Sequence, residues 1–265
     1  MGDLRLTREN VDFMIRVLAR DVDLGRRAED EGKQLTTLAV LHRWRGIARH
    51  LASGATSPFT ADLVRAVQAR RDYLKRLQAG AAAASARYAS LPQNRALFDA
   101  LAIGDHVSAT ALARLGLQLR EGQPEPDVDG CLLEYLHGLL VEWPPDPAAA
   151  AGAGRTGRAT SVLAGAGPGP EADLVTALEV RDGAAFSRAL SALVEQRRAR
   201  FAADLTLPPE AIATERHVFV LGIALVNVAR AMGMTTAVEY PTVPRQLLGL
   251  QPPPVPPPES WRRPA

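Results

Sequence analysis

The chain has one cysteine, Cys131, in 265 residues. An internal disulfide is therefore excluded, and a reducing, cytoplasmic setting is expected. Aromatic residues are scarce at 5%, which disfavours a β-sandwich built on large rings and β-branched pairs. No stretch sustains period-two alternation, so no sheet is expected. The longest apolar run, Val218 to Ala229, is too short to span a bilayer and contains Asn227. It reads as a buried helix, and no membrane partner is expected. Met1 to Leu6 alternates charge with leucine, so no signal peptide is expected. Lysine is nearly absent: Lys33 and Lys75 stand alone, and arginine supplies the remaining basic charge.

What is present is an ordinary globular composition, 47% apolar and 23% charged, with apolar residues recurring at helical spacing. The fold class that follows is all-α: antiparallel helical hairpins with an internal repeat, about eight to ten helices and no sheet. The repeat lies in Leu97–Asp105 and Leu174–Asp182. Leu97, Ala100, Leu101, Ile103 and Asp105 align with Leu174, Ala177, Leu178, Val180 and Asp182. Each copy is an apolar helical face, a two-residue break, and an aspartate opening a second amphipathic stretch. Asp105 and Asp182 are therefore expected to be N-caps, and Gly233 a helix C-cap.

Along the chain, residues 1–143 read as an N-terminal helical part. Its first helix starts at Thr7 with Val11, Met14, Ile15 and Leu18 on one face. A second helix stops near Gly54, Ser57-Pro58 breaks the chain, and Thr60 caps the third. Residues 144–170, rich in Gly, Ala and Pro, read as a flexible loop in which Val162-Leu163 can dock. Residues 171–250 read as a C-terminal helical part packing on the first. It contains a helix from Gly183 to Asp204 with Arg197, Arg198 and Arg200 outside, and an apolar one from Glu210 or Thr214 to Met232. Tyr240 to Leu248 reads as a strap, and residues 251–265, with Trp261, as a solvated proline-rich tail.

No constellation carries obvious chemistry, so no catalytic, cofactor-binding or metal-binding residues are assigned. Gly152-Ala153-Gly154-Arg155-Thr156-Gly157 matches G-x-G-x-x-G but lacks the strand before it and the helix after it that a dinucleotide site requires. His42, His50, His106, His137 and His217 include no i, i+4 pair for one metal ion. His106 reads as solvent-facing, and Cys131, beside Leu132 and Leu133, as an inert buried thiol.

Charge is distributed unevenly. Residues 1–80 carry 15 basic and 10 acidic side chains, whereas residues 81–146 carry 4 and 9. The basic helix faces read as solvated and salt-paired. They lack the dense stripe and interleaved aromatics of a nucleic-acid surface, and no nucleic-acid partner is expected. The acidic middle suits a basic protein partner. Asp127, Asp129, Glu134, Glu142, Trp143 and Asp146 are the candidate partner-binding residues.

The helix ending at Gly104-Asp105, the one ending at Arg181-Asp182 with Phe186 and Leu190 beyond, the apolar helix closing at Gly233, and the strap from Pro244 to Leu248 carry a family resemblance. Over Thr36 to Leu250 the chain resembles bacterial immunity protein family forty-nine of the polymorphic toxin systems. The resemblance implies an all-helical cytoplasmic protein, not an enzyme, that neutralises a cognate toxin domain encoded nearby by binding it. It supplies no catalytic residues. The alternative from composition and fold is a helical-repeat scaffold or regulatory adaptor.

Overall fold

A computed structural model describes residues 4–25, 30–82, 86–119, 131–143, 163, 167–237, 239–252, 254, 257 and 259–262. Among these residues the structure is all-α with no strand; one isolated bridge joins Tyr240 and Val243. In chain order the helices are α1 (Leu4–Asp23), α2 (Glu31–Ser53), α3 (Ser57–Gln78), the single turn α4 (Ala86–Ala89), α5 (Ala96–Ala102), α6 (His106–Gln118), α7 (Cys131–Val141), α8 (Pro170–Val180), α9 (Gly183–Ala203), α10 (Pro209–Thr214) and α11 (Val220–Ala231). Short 3-10 turns occupy Leu91–Gln93, Arg245–Leu247 and Ser260–Arg262.

Helical periodicity explains the layering. On α1 the buried residues Thr7, Val11, Ile15 and Ala19 recur every four positions and face α2. The opposite side exposes Leu6, Phe13 and Val17, Phe13 by 61%. Helices α2 and α3 form a hairpin turned at Gly54, whose φ of +70° and N–H bond to the His50 carbonyl (2.7 Å) close α2. Helix α3 starts at Ser57, not at Thr60. Pro58 sits in its first turn, where a missing N–H costs nothing, and the Thr60 hydroxyl donates back to the Ser57 carbonyl at 2.9 Å. Helix α5 lies on α3, and α6, α7, α8 and α9 follow as successive neighbours. Helix α11 packs on α5, and α10 returns to α1 and α2. One continuous apolar core runs from Val11 to Trp261. Most of the expected loop at 144–170 lies outside the described residues, as does the glycine motif at 152–157. Leu163 is described and packs on the core.

The two aspartate turns share local geometry. Gly104 (φ +73°) and Arg181 (φ +55°) are left-handed. The next N–H closes the preceding helix, Asp105 to the Ala100 carbonyl at 2.9 Å and Asp182 to the Ala177 carbonyl at 3.0 Å. The carboxylates then open the following helix. Asp105 accepts from the Ser108 N–H, and Asp182 from those of Ala184 and Ala185, all at 2.9 Å. Gly104 has a second constraint, since a Cβ there would sit 2.6 Å from the Leu250 carbonyl oxygen. Gly233, φ +80°, follows α11.

Helix α11 is buried from Gly222 to Ala229, and its one polar residue in that run is a clip. The Asn227 amide donates to the Leu101 and Ala102 carbonyls at the end of α5, both at 3.1 Å, and its oxygen accepts from the Gly249 N–H at 3.1 Å. Core helix, short helix and C-terminal strap thus meet at one side chain.

Two further expectations are corrected. The helix foreseen from about Glu210 to Met232 is two helices. Between them the Phe219 N–H leaves the helical ladder and donates to the Thr242 carbonyl at 2.7 Å, and Glu215 is freed at the break. The tail is not uniformly solvated. Trp261 is 1% exposed, and its turn packs on α1 and α3. Ser260 donates to Gln68 at 2.6 Å, and Arg262 to Asp23 at 2.6 Å. Burying an indole outweighs the ordering of this short segment. Replacing Trp261 with Ala is expected to cost about 3–5 kcal/mol in urea denaturation. A loss under about 1 kcal/mol would show that the tail adds nothing to the core.

Candidate functional site

The basic residues of α2 are not a solvated face. His42, Arg43 and Arg45 are all buried, so this expectation is corrected, although the pairing it foresaw is present. Arg43 forms a two-pronged pair with Asp99 of α5, Nε to Oδ1 at 2.6 Å and Nη2 to Oδ2 at 2.8 Å. Burial works against the Arg43 charge, but the Asp99 carboxylate, aided by Glu215, outweighs it and holds the guanidinium ionised. Two residues on, Arg45 donates to Asp62 through Nε (3.0 Å) and Nη2 (2.6 Å). Arg65 and Arg49 reach the same carboxylate at 2.9 and 3.4 Å.

His42 joins this network to the tail. Arg45 Nη2 lies 3.1 Å from His42 Nδ1, and His42 Nε2 lies 2.9 Å from the Trp261 carbonyl. A guanidinium only donates and a carbonyl only accepts, so Nδ1 is the acceptor and Nε2 carries the proton. A second proton would face Arg45. Burial, and then the charges of Arg45, Arg65 and Arg49, hold His42 well below its usual range.

Beyond Arg43 the interior opens into a half-enclosed cleft of about 560 Å³. Its walls come from α2, the start of α5, α7, α8, α9 and the break before α11. The floor is apolar: Phe98, Leu132, Leu133, Leu193 and Val218 to Leu221. Its polar groups are chiefly guanidinium, from Arg43, Arg95, Arg197 and Arg200, opposed by Glu171 and Glu215. Glu215 is the hub. It accepts from Trp44 Nε1 at 3.2 Å and lies 3.7 Å from Arg43 and 3.9 Å from Arg197. Arg197, expected outside, is half-buried and sandwiched between Phe201 and Phe219 at 4.5 and 4.6 Å from the ring centres. It also donates to the Glu215 backbone carbonyl. Burial pulls its pKa down to about 10. Arg198 and Arg200 do face solvent. The cleft was missed in sequence because its charges come from five separate segments, three of them helices; the only local trace is Arg197 and Arg200 one turn apart beside Phe201.

Of the candidate partner-binding residues, Asp127, Asp129 and Asp146 lie outside the described residues. Glu134 is half-buried on α7, Glu142 is exposed just beyond it, and Trp143 is half-buried. The Trp143 ring stacks on His106, centres 4.9 Å apart and planes at 7°. His106 is therefore not simply solvent-facing: burial holds its pKa below the usual value, against the pull of the Asp105 carboxylate. Among the described residues, no three His, Cys, Asp or Glu side chains gather as a metal site, and no helix is long and apolar enough to cross a membrane.

Fold and cleft define an all-helical protein whose most differentiated surface is an arginine-rich recess. Residues 94–247 match the Immunity protein 49 family, more than half of the chain, and the protein belongs to that family. No curated protein and no solved structure matches the chain. Every cleft-lining residue except Arg43 and Pro92 falls inside the family span.

Two outcomes follow from the buried charges. Arg43→Met strands the Asp99 carboxylate and is expected to cost about 3–5 kcal/mol in chemical denaturation. Arg43→Met with Asp99→Leu should cost less than the single change, and a double variant as unstable as the sum of the singles would contradict this. The second outcome concerns pH. His42 is neutral when folded and takes up a proton near pH 6.5 when unfolded, so its contribution is intact above that pH and lost as pH falls below it. Stability should decline on acidification with a slope of about 1.4 kcal/mol per pH unit from this group. His42→Gln should remove that part of the slope; an unchanged slope in the variant would contradict it.

Proposed function

We propose that the protein neutralises a cognate bacterial toxin by binding it through a preformed helical surface, acting in the cytoplasm and not as an enzyme. The observation that carries this reading is family membership over the span that also builds the cleft. The charged groups of the recess support it further. Glu215 is engaged by Trp44, Arg43 and Arg197, and Arg43 by Asp99. That is the arrangement of a rigid surface, with polar groups spent on positioning one another.

The proposed toxin domain is basic and encoded beside this chain. Asp127, Asp129, Glu134, Glu142 and Asp146 would steer it, with Trp143 as an anchor, because an excess of carboxylates accelerates the approach of a cationic protein. A stable complex would bury on the order of 800 Å² per partner.

Co-expression with the neighbouring gene product should rescue growth and yield a co-purifying pair. Growth arrest despite the chain would reject the reading. Charge reversal at Asp127, Asp129 and Glu134 should slow association about tenfold or more at low salt and much less at high salt. An association rate indifferent to both would reject the acidic surface and leave the immunity role standing.

A further inference from the structure

The side chains that line the cleft carry more positive than negative charge. Four guanidinium groups and two glutamates line it, Asp99 stands behind Arg43, and Asp204 lies 3.9 Å from Arg200. The one lining guanidinium without a carboxylate in ion-pair range among the described residues lies at the rim. The side chain of Arg95, at the N-terminal boundary of α5, makes no hydrogen bond or ion pair with another described residue. Arg200 reaches only Asp204, at 3.9 Å and in solvent. Although Arg95 is exposed at the mouth, desolvation by the walls, then the charge of Arg43 and, less strongly, that of Arg200 act against its ionised form, and Glu215 offsets them only in part. An anion between Arg95 and Arg200 would relieve that repulsion.

The chemistry of the anion is narrowed by its surroundings. Glu171 and Glu215 share the recess, so a doubly charged phosphate would be repelled by two carboxylates more strongly than a singly charged carboxylate would. Below the rim lies apolar wall: Phe98, Leu132, Leu133 and Val220. A volume of about 560 Å³ lies within the range of concave ligand-binding clefts.

We propose that the cleft is the docking slot for one acidic side chain and its apolar neighbour on a toxin segment, with Arg95 and Arg200 gripping the carboxylate as a fork. This rests on the immunity reading above and assigns it a specific pocket. Most of the toxin surface remains basic and faces the acidic region; the slot takes the single carboxylate that fixes register.

The test uses the full chain, wild type and Arg95→Ala/Arg200→Ala, in two arms. Both side chains lie at the rim, so the variant should keep the wild-type thermal unfolding midpoint, and Arg95→Lys, which keeps charge but loses the planar fork, serves as a second variant. In the first arm each chain is co-expressed with the neighbouring toxin. Wild type should rescue growth, and the double variant should bind the purified toxin at least tenfold more weakly, with Arg95→Lys between them. Failure of wild-type rescue overturns the immunity reading. Wild-type rescue with undiminished binding by the double variant overturns the slot alone. In the second arm, blocked peptides of sequence Ala-Glu-Leu-Phe-Ala and Ala-Gln-Leu-Phe-Ala, decanoate and inorganic phosphate are titrated against the wild-type chain by calorimetry. The glutamate peptide should bind at least tenfold tighter than its glutamine counterpart. Equal binding of the two peptides, or binding of decanoate or phosphate but not the glutamate peptide, overturns the proposal.

Discussion

The architecture depends on the buried pair between Arg43 and Asp99. It joins α2 of the N-terminal layer to α5, the first helix of the family span, with two short hydrogen bonds in a site that excludes water. Such a pair adds little net stability, because desolvating both ions offsets most of their attraction. It does dictate geometry. A planar guanidinium accepts a carboxylate in few orientations, so α2 and α5 are held in register. Glu215, beyond Arg43, is drawn to the same point together with Trp44 and Arg197. The break between α10 and α11, and the wall of the cleft that follows it, are thus placed by charges at the bottom of the recess.

A second polar fastening works on the far side of α5. Asn227 caps the carbonyls of Leu101 and Ala102 and holds the strap through Gly249. The two fastenings hold α5 at its middle, through Asp99, and at its C-terminal end, although it has only seven residues. A helix of that length has negligible stability alone. Its order comes from these contacts and from apolar packing on α3, α6 and α11.

How much of this was legible in the sequence follows from the range of each interaction. The all-α class and the buried character of Val220 to Ala229 come from periodicity, which is local. Asp105 and Asp182 bond within three residues of themselves, so a short pattern carries their geometry. The buried arginines were misread as solvated because their partners are distant: Arg43 meets Asp99 across 56 positions and Arg45 meets Asp62 across 17. The tail was misread because its prolines describe a solvated strand, whereas Trp261 finds its place only once α1, α2 and α3 have assembled. The break near Glu215 was hidden for the same reason. Apolar spacing runs through it, and the Thr242 carbonyl that draws Phe219 out of the helix comes from the strap. The cleft combines all of these long-range effects, and no local motif announces it.

The central claim is that charges fixed beneath the family span present a rigid recess as the working face. Hydrogen exchange of the full chain, alone and in complex with the co-purified toxin, tests it most directly. The account predicts that toxin binding slows exchange at the start of α5, along α7, in the second half of α9 and from Glu215 to Leu221. Slowing confined to α1, with its exposed Leu6, Phe13 and Val17, and none around the recess, would contradict it.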